Sequence, residues 1–263
     1  MITCTSMNLR NLLMRPTDIA SSMINKIGES PFYLNQNAAE MLNNLSDDYL
    51  TQTGYLESIA SKAPIRNGLP IPWITYSALE FLEKSVSSSS RILEFGGGFS
   101  TLFWALRGNP ISYMENNVLW DDAIHQVGQE FRNLLPNSIT RISELMTSDM
   151  RSELKTSLVR EVTISKVEFS EHLNDFFVDQ INQTELIVID GDFRNYFLDL
   201  SSQSKTASHV ILDNGDRAEY SFGINCMMKA GWSKVDFHGL GPINPYGWTT
   251  SIFFKKVALD INF

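Results

Sequence analysis

The sequence predicts an α/β protein: an open, seven-stranded, mostly parallel sheet with helices on both faces and an antiparallel C-terminal strand, preceded by an N-terminal helical extension. Three observations predict it. From Arg91 onward, short apolar runs rich in β-branched residues alternate with stretches of helical spacing, the pattern of strand-helix-strand units. The first run leads into three glycines and then a helix start. The last two runs are separated by a loop too short for a crossover helix, so they should pair antiparallel.

In chain order, residues 1–62 are polar with scattered apolar positions, an Asn-rich stretch at 35–44 and no β-branched run, a composition suited to short helices. Pro64, Gly68, Pro70 and Pro72 make 63–72 an irregular linker. Two parts follow from this: an extension and linker at 1–72, and the main domain at 73–263. Trp73, Tyr76, Leu79 and Leu82 recur at helical spacing and predict a helix to Lys84. Strands are predicted at 92–95, 111–114, 162–167, 186–189 and 210–212, then at 233–237 and 249–254. Helices are predicted between them at 101–106, 121–135, 171–181, 196–200 and 220–229. The stretch 137–160 is long for a simple connection and should hold an extra helix.

Composition narrows the function. The chain has 263 residues, 43% hydrophobic and 19% charged, and no apolar run approaches the roughly 18 residues that span a bilayer. Residues 1–15 carry Arg10 and Arg15 without the apolar core of a secretory signal, so a cytoplasmic location is expected. Cys4 and Cys226 are too few for a disulfide framework, and the four histidines show no zinc-ligand spacing. A net charge of -9 argues against nucleic acid and anionic membrane surfaces as partners. A small-molecule substrate is expected, and a homodimer is left open.

The strongest chemical signal is Arg91-Ile-Leu-Glu-Phe-Gly-Gly-Gly-Phe-Ser-Thr101. Gly96 and Gly98 let a ligand lie against bare main chain, and Ser100 is placed to cap the helix that follows. A tight turn with no ligand is the alternative. Context favours a ligand: the cluster follows a strand and opens a helix, and Glu115 ends the next strand about 20 residues on, where a carboxylate can take ribose hydroxyls. A dinucleotide site would want its third glycine where Thr101 stands.

Glu94-Phe-Gly-Gly-Gly with Glu115 resembles the S-adenosylmethionine-binding motifs of class I methyltransferases, and the final antiparallel pair is similar to the hairpin of that family's sheet. The resemblance covers about residues 70–256. It implies a Rossmann-like fold, S-adenosyl-L-methionine as cofactor, and methyl transfer as the activity. It also implies a set of cofactor contacts. Gly96, Gly97 and Gly98, with Ser100 and Thr101, would lie by the methionine portion. Glu115 would hold the ribose, Glu94 would orient the amino acid part, Glu168 or Phe169 would meet the adenine, and Asp190 would border the cofactor.

The second signal is Asp190-Gly-Asp192 after the fourth strand and Asp213-Asn214 after the fifth. Both lie at the carboxyl edge, where open α/β sheets bind ligands and where hard oxygen atoms suit Mg2+. Asp190, Asp213 and Asn214 resemble the metal ligands of catechol-type small-molecule O-methyltransferases. One departure is clear: the lysine that some relatives place after the strand-four aspartate is absent, and Phe193 and Arg194 stand there. Helix capping and loop solvation are the alternative role for these carboxylates.

Candidate catalytic residues are Asp190 and Asp192 as proton acceptors and His238 as a base, with His209 a weaker choice. Trp73, Tyr76, Tyr246 and Trp248 either border the site or pack the core. The expected function is an S-adenosylmethionine-dependent methyltransferase on a small acceptor, with O-methylation first and assistance by Mg2+ open. The alternatives are a metal-independent N-methyltransferase and a cofactor-binding module without turnover.

Overall fold

In the computed structural model, which describes residues 44–130, 139–161 and 168–255, the run Ile92–Phe95 becomes β1, and all four of its residues are buried. Its neighbours are β2 (Ile111–Met114) and β4 (Leu186–Ile189), both parallel to it. Beyond β2 lies β3 (Ile139–Arg141), and beyond β4 lies β5 (His209–Asp213), again parallel. The sheet ends with β7 (Trp248–Lys255) and β6 (Trp232–Gly239). The spatial order is β3-β2-β1-β4-β5-β7-β6. β7 runs antiparallel to both of its neighbours.

Side chains alternate between two core layers, as the period of a strand requires. Leu93, Phe95, Ile187, Ile189, Val210, Leu212 and Phe253 face one layer. There they meet α7 (Glu171–Ile181), α8 (Arg194–Ser202) and α9 (Ser221–Lys229), with Phe95 stacked on Phe197 at 3.6 Å between centroids. Ile92, Ile111, Leu186, Val188, Ile211 and Ile252 face the other layer. That side is covered by α1 (Tyr55–Ser61), α2 (Tyr76–Ser85) and α3 (Phe99–Leu106). Two further helices flank β3: α4 (Val118–Glu130) before it and α6 (Ser148–Glu161) after it, the latter following the single turn α5 (Ile142–Leu145). Among the described residues no helix is long and apolar enough to cross a membrane.

Two expectations are corrected. The third strand of the sheet is Ile139–Arg141, inside the stretch read as a connection with an extra helix. Residues 162–167, expected to form it, lie outside the described residues. Ile-Thr-Arg holds its place at the sheet edge because Arg141 Nε donates to Tyr113 Oη at 3.0 Å and its guanidinium pairs with Asp121 at 3.1 Å. The expected extra helix is α6.

The linker is also more ordered than its prolines suggested. Ile65–Arg66 pairs with Leu69–Pro70 across Asn67 and Gly68, both at positive φ (54° and 73°). That Asn-Gly pair is a strong hairpin signal in its own right. The Glu57 carboxylate accepts from both turn amides at 2.6 and 2.8 Å. Tyr55 and Leu56 are buried in the same core layer as Ile92 and Ile252.

Candidate active site

The strand order reverses at β1: one neighbour leads out to β3 and the other to β5. In an open α/β sheet the crevice at this point, beyond the carboxyl ends of the strands, is where ligands bind. Three strand ends are laced together there. Gly96 and Gly97 N–H donate to Met114 O at 2.9 and 3.2 Å, and Asp190 and Gly191 N–H donate to Phe95 O at 2.8 Å.

The three glycines do different things. Gly96 takes φ 103°, and a Cβ on it would lie 2.2 Å from Gly191 N, so only glycine lets the two loops approach. A Cβ on Gly97 would lie 2.3 Å from the Tyr113 ring. Gly98 is extended, and a Cβ there would meet Trp120 Nε1 and Ser100 Oγ at the ordinary distances of 3.6 and 3.7 Å. The first two glycines are therefore demanded by the protein's own packing. Gly98 is the one whose missing side chain leaves room over the loop.

Ser100 does not cap α3. Gly98 is the capping residue, and its N–H donates to Thr101 Oγ1 at 3.0 Å, while that hydroxyl donates to Glu94 Oε2. Thr101, at the position of the missing third glycine, thus ties the loop to the carboxylate beneath it. Glu94 is fully buried, and its Oε1 has no protein partner. Burial pushes its carboxyl up to about 7, with Glu115 adding to the rise and the Ser100 and Thr101 hydroxyls opposing it.

A cleft of about 110 Å³ lies against the loop, bordered by Gly96 to Gly98, Glu115, Trp120, Trp73 and Asp190. Glu115 Oε1 accepts from Asn117 N–H at 2.7 Å. Burial raises its pKa, the amides of Asn117 and Asn116 lower it, and the Asp192 charge raises it further. Trp120, on the first turn of α4, lays its indole beside the loop and donates from Nε1 to Gly97 O at 2.8 Å. Sequence reasoning missed this residue; the available signal was a tryptophan in the helix start that follows Glu115.

Across Trp73 and Asp190, which border both, lies a larger cleft of about 440 Å³. Asp190, Asp213, Asn214, Asp216 and Arg217 line it together with the rings of Trp73, Tyr246 and Trp248. Asp213 Oδ1 accepts from Trp248 Nε1 at 2.9 Å and from Thr250 Oγ1 at 2.7 Å. Burial raises the pKa of Asp213, and these two donors pull it back. Burial and then the Asp213 charge push Asp190 up, and the Arg194 guanidinium opposes them.

The structure brings Asp190, Asp213 and Asn214 together around an arginine. Arg194 Nε donates to Gly191 O at 2.9 Å, Nη1 to Asp213 O at 2.6 Å and Asn214 Oδ1 at 3.2 Å, and Nη2 to Asp190 O at 2.6 Å. Nη2 also pairs with Asp190 Oδ1 at 3.0 Å. Four of the five guanidinium N–H groups are thus hydrogen-bonded, and the ion pair to Asp190 adds a fifth contact. Among the described residues no group of three or more His, Cys, Asp or Glu side chains is arranged to hold a metal. The donor set does not fit Mg2+ as it stands, because Arg194 holds Asp190 Oδ1 and Asn214 Oδ1 while Trp248 and Thr250 donate to Asp213 Oδ1.

The remaining expected residues lie elsewhere. Asp192 is exposed and accepts from Asn116 Nδ2 at 3.4 Å. His238 Nδ1 is 3.0 Å from Thr249 Oγ1, and the ring is not among those lining either cleft. His209 sits at the opposite, amino end of β5, where burial lowers its pKa. Glu168 is exposed; Phe169 is buried with its ring edge-on to Phe193 and Tyr196. Tyr76 is buried against Tyr55.

No family model matches the sequence, and no curated protein matches it. The fold is Rossmann-like. Solved structures similar to this chain include a methyltransferase from Pyrococcus furiosus, with 13% identity over 79% of this chain and 100% of the other, at TM-score 0.44. The O-methyltransferase from Bacillus cereus in complex with SAH is 16% identical over 81% of this chain and 96% of its own, at TM-score 0.41. Spermidine synthase from Thermotoga maritima is 13% identical over 65% and 54%, at TM-score 0.40. Each is a likeness of fold.

Proposed function

We propose that this protein is an S-adenosylmethionine-dependent methyltransferase that acts on a small acceptor without a divalent metal. The observation that carries this reading is the pair of clefts meeting at Trp73 and Asp190, one floored by bare glycine main chain beside Glu115 and the other lined by carboxylates and aromatic rings. The orphaned Oε1 of buried Glu94 fits a cofactor with a positively charged amino group, because an unpaired buried carboxylate oxygen is costly until a donor reaches it.

When bound, S-adenosylmethionine supplies an electrophilic methyl carbon. Glu115 accepts from ribose hydroxyls, Glu94 accepts from the amino group, and Trp120 offers a flat wall for the base. The acceptor occupies the larger cleft, where Trp73, Tyr246 and Trp248 exclude water and hold it close and in line, the main source of rate in such a transfer. Asp190, at the junction, takes the acceptor's proton. Burial and the Asp213 charge raise its pKa, and a raised pKa makes the carboxylate a stronger base. Arg194 does not line the acceptor cleft, so it is not placed to polarise an acceptor oxygen.

N-methylation is favoured over O-methylation by one observation. Asp190, Asp213 and Asp216 outnumber Arg217 around the acceptor cleft, and Arg194 does not line it, so an acceptor that arrives as an ammonium is attracted. Calorimetry with S-adenosylmethionine and its demethylated product tests the cofactor. Methyl transfer to matched amine and hydroxyl acceptors, each with Mg2+ and with chelator, then tests the rest. Absence of cofactor binding would overturn the reading, and chelator-sensitive transfer would overturn its metal-independent form.

A further inference from the structure

We propose that Arg194 is a built-in replacement for a divalent cation at the joined ends of β4 and β5, so that the protein keeps a cradle of cation-binding oxygens but fills it from its own chain. Five oxygens converge on the guanidinium: Asp190 O and Oδ1, Gly191 O, Asp213 O and Asn214 Oδ1. Carboxylate, amide and main-chain carbonyl oxygens are the donors that hard divalent cations select. Here four of them accept guanidinium N–H groups and the fifth, Asp190 Oδ1, is ion-paired to Nη2.

The backbone is shaped for this. Phe193 stands at φ 58° and Asn214 at φ 56°, left-handed conformations that cost non-glycine residues energy and persist where their surroundings hold them. The turn at Phe193 starts α8 so that its first residue, Arg194, reaches back to the end of β4. The turn at Asn214 brings its amide oxygen to the same guanidinium. Tyr220 closes the outer side, its ring centroid 5.1 Å from the guanidinium carbon. The side chain is only 11% exposed, so the cation is neither a surface charge nor replaceable by solvent ions while the loops stay in place.

The replacement changes the chemistry of the edge. A divalent ion keeps open positions for water or substrate, whereas a guanidinium held by these five oxygens joins two strand ends and has no coordination position to open. The edge carries one fixed positive charge in place of two and loses Lewis acidity.

The test uses the full chain and Mn2+ alone as probe, followed by electron paramagnetic resonance and by thermal melting. Neither readout depends on cofactor or acceptor, so the proposal stands or falls apart from the methyl-transfer reading. Wild type is expected to show no saturable Mn2+ binding at millimolar concentration and no change in Tm. Arg194→Ala is expected to bind one Mn2+ and to gain thermal stability with it, and adding Asn214→Ala should weaken that binding about tenfold. Saturable binding in wild type that is lost in Asn214→Ala overturns the proposal, as does a folded Arg194→Ala protein that binds no more Mn2+ than wild type. Should Arg194→Ala fail to fold, Arg194→Met, which keeps the apolar stem and removes the charge, replaces it in the same titration, and the same outcomes support or overturn the proposal.

Discussion

Glu94→Gln changes one charge at the base of the glycine loop while leaving an oxygen to accept from Thr101. Burial raises this carboxyl from 4.5 to about 7, so the folded protein holds its proton more tightly than the unfolded chain does. Stability is then greatest below the ordinary carboxylate pKa and falls as pH climbs from there to about 7. At 1.36 kcal/mol per pH unit the loss attributable to Glu94 amounts to about 3 kcal/mol. The assay is urea unfolding of wild type and Glu94→Gln at several pH values from about 5 to about 8. Asp190 and Asp213 titrate in both proteins, so the difference between the two curves isolates Glu94. The gap should change by about 2.5 kcal/mol across that range, in favour of the variant at high pH. Cofactor binding should reverse the cost, because an ammonium at Oε1 stabilises the ionised form. Affinity should therefore rise by up to about tenfold per pH unit below pH 7, with proton release visible by calorimetry in two buffers. Parallel unfolding curves would show that Glu94 is charged throughout and would refute the reasoning.

Gly98→Val should remain folded by circular dichroism and lose cofactor binding by calorimetry, since its new side chain enters the space over the loop without hitting main chain. Gly96→Ala should fail to fold or lose more than about 2 kcal/mol in urea, because its backbone is left-handed and its Cβ would overlap Gly191. Asp213→Ala removes the acceptor of two buried donors, Trp248 Nε1 and Thr250 Oγ1, and should cost about 2 to 4 kcal/mol; a melt unchanged within error would contradict the geometry. Asp190→Asn should lower kcat by roughly 10² to 10⁴ in a methyl-transfer assay, and a smaller effect would remove it from the role of proton acceptor.

What could be read from the chain follows from burial. β1, β2 and β4 are each four residues of nearly continuous apolar sequence between turn residues, so their ends coincide with the ends of the runs. β3 is a half-buried Ile-Thr-Arg held by side-chain bonds to Tyr113 and Asp121. Its cause lies in partners far along the chain, and hydrophobic patterning does not register it. The site divides the same way. The gathering of Asp190, Asp213 and Asn214 follows from their places at strand ends. The path of Arg194 into their midst depends on the left-handed turn at Phe193, which a phenylalanine does not advertise. Trp120 likewise reaches the loop only because α4 begins close to Gly97.

Because β7 lies between β5 and β6, the sheet is not assembled in the order in which the ribosome makes it. A nascent chain that has reached Gly247 already contains β5 and β6, yet the strand that joins them has not been synthesised. Both leave unpaired edges open to other chains in that interval, an aggregation hazard that chaperones are suited to shield. Trp248 and Thr250, the two donors to Asp213, arrive on that same late strand. One insertion therefore seals the sheet and completes a wall of the larger cleft together, so a chain cut before Trp248 lacks both.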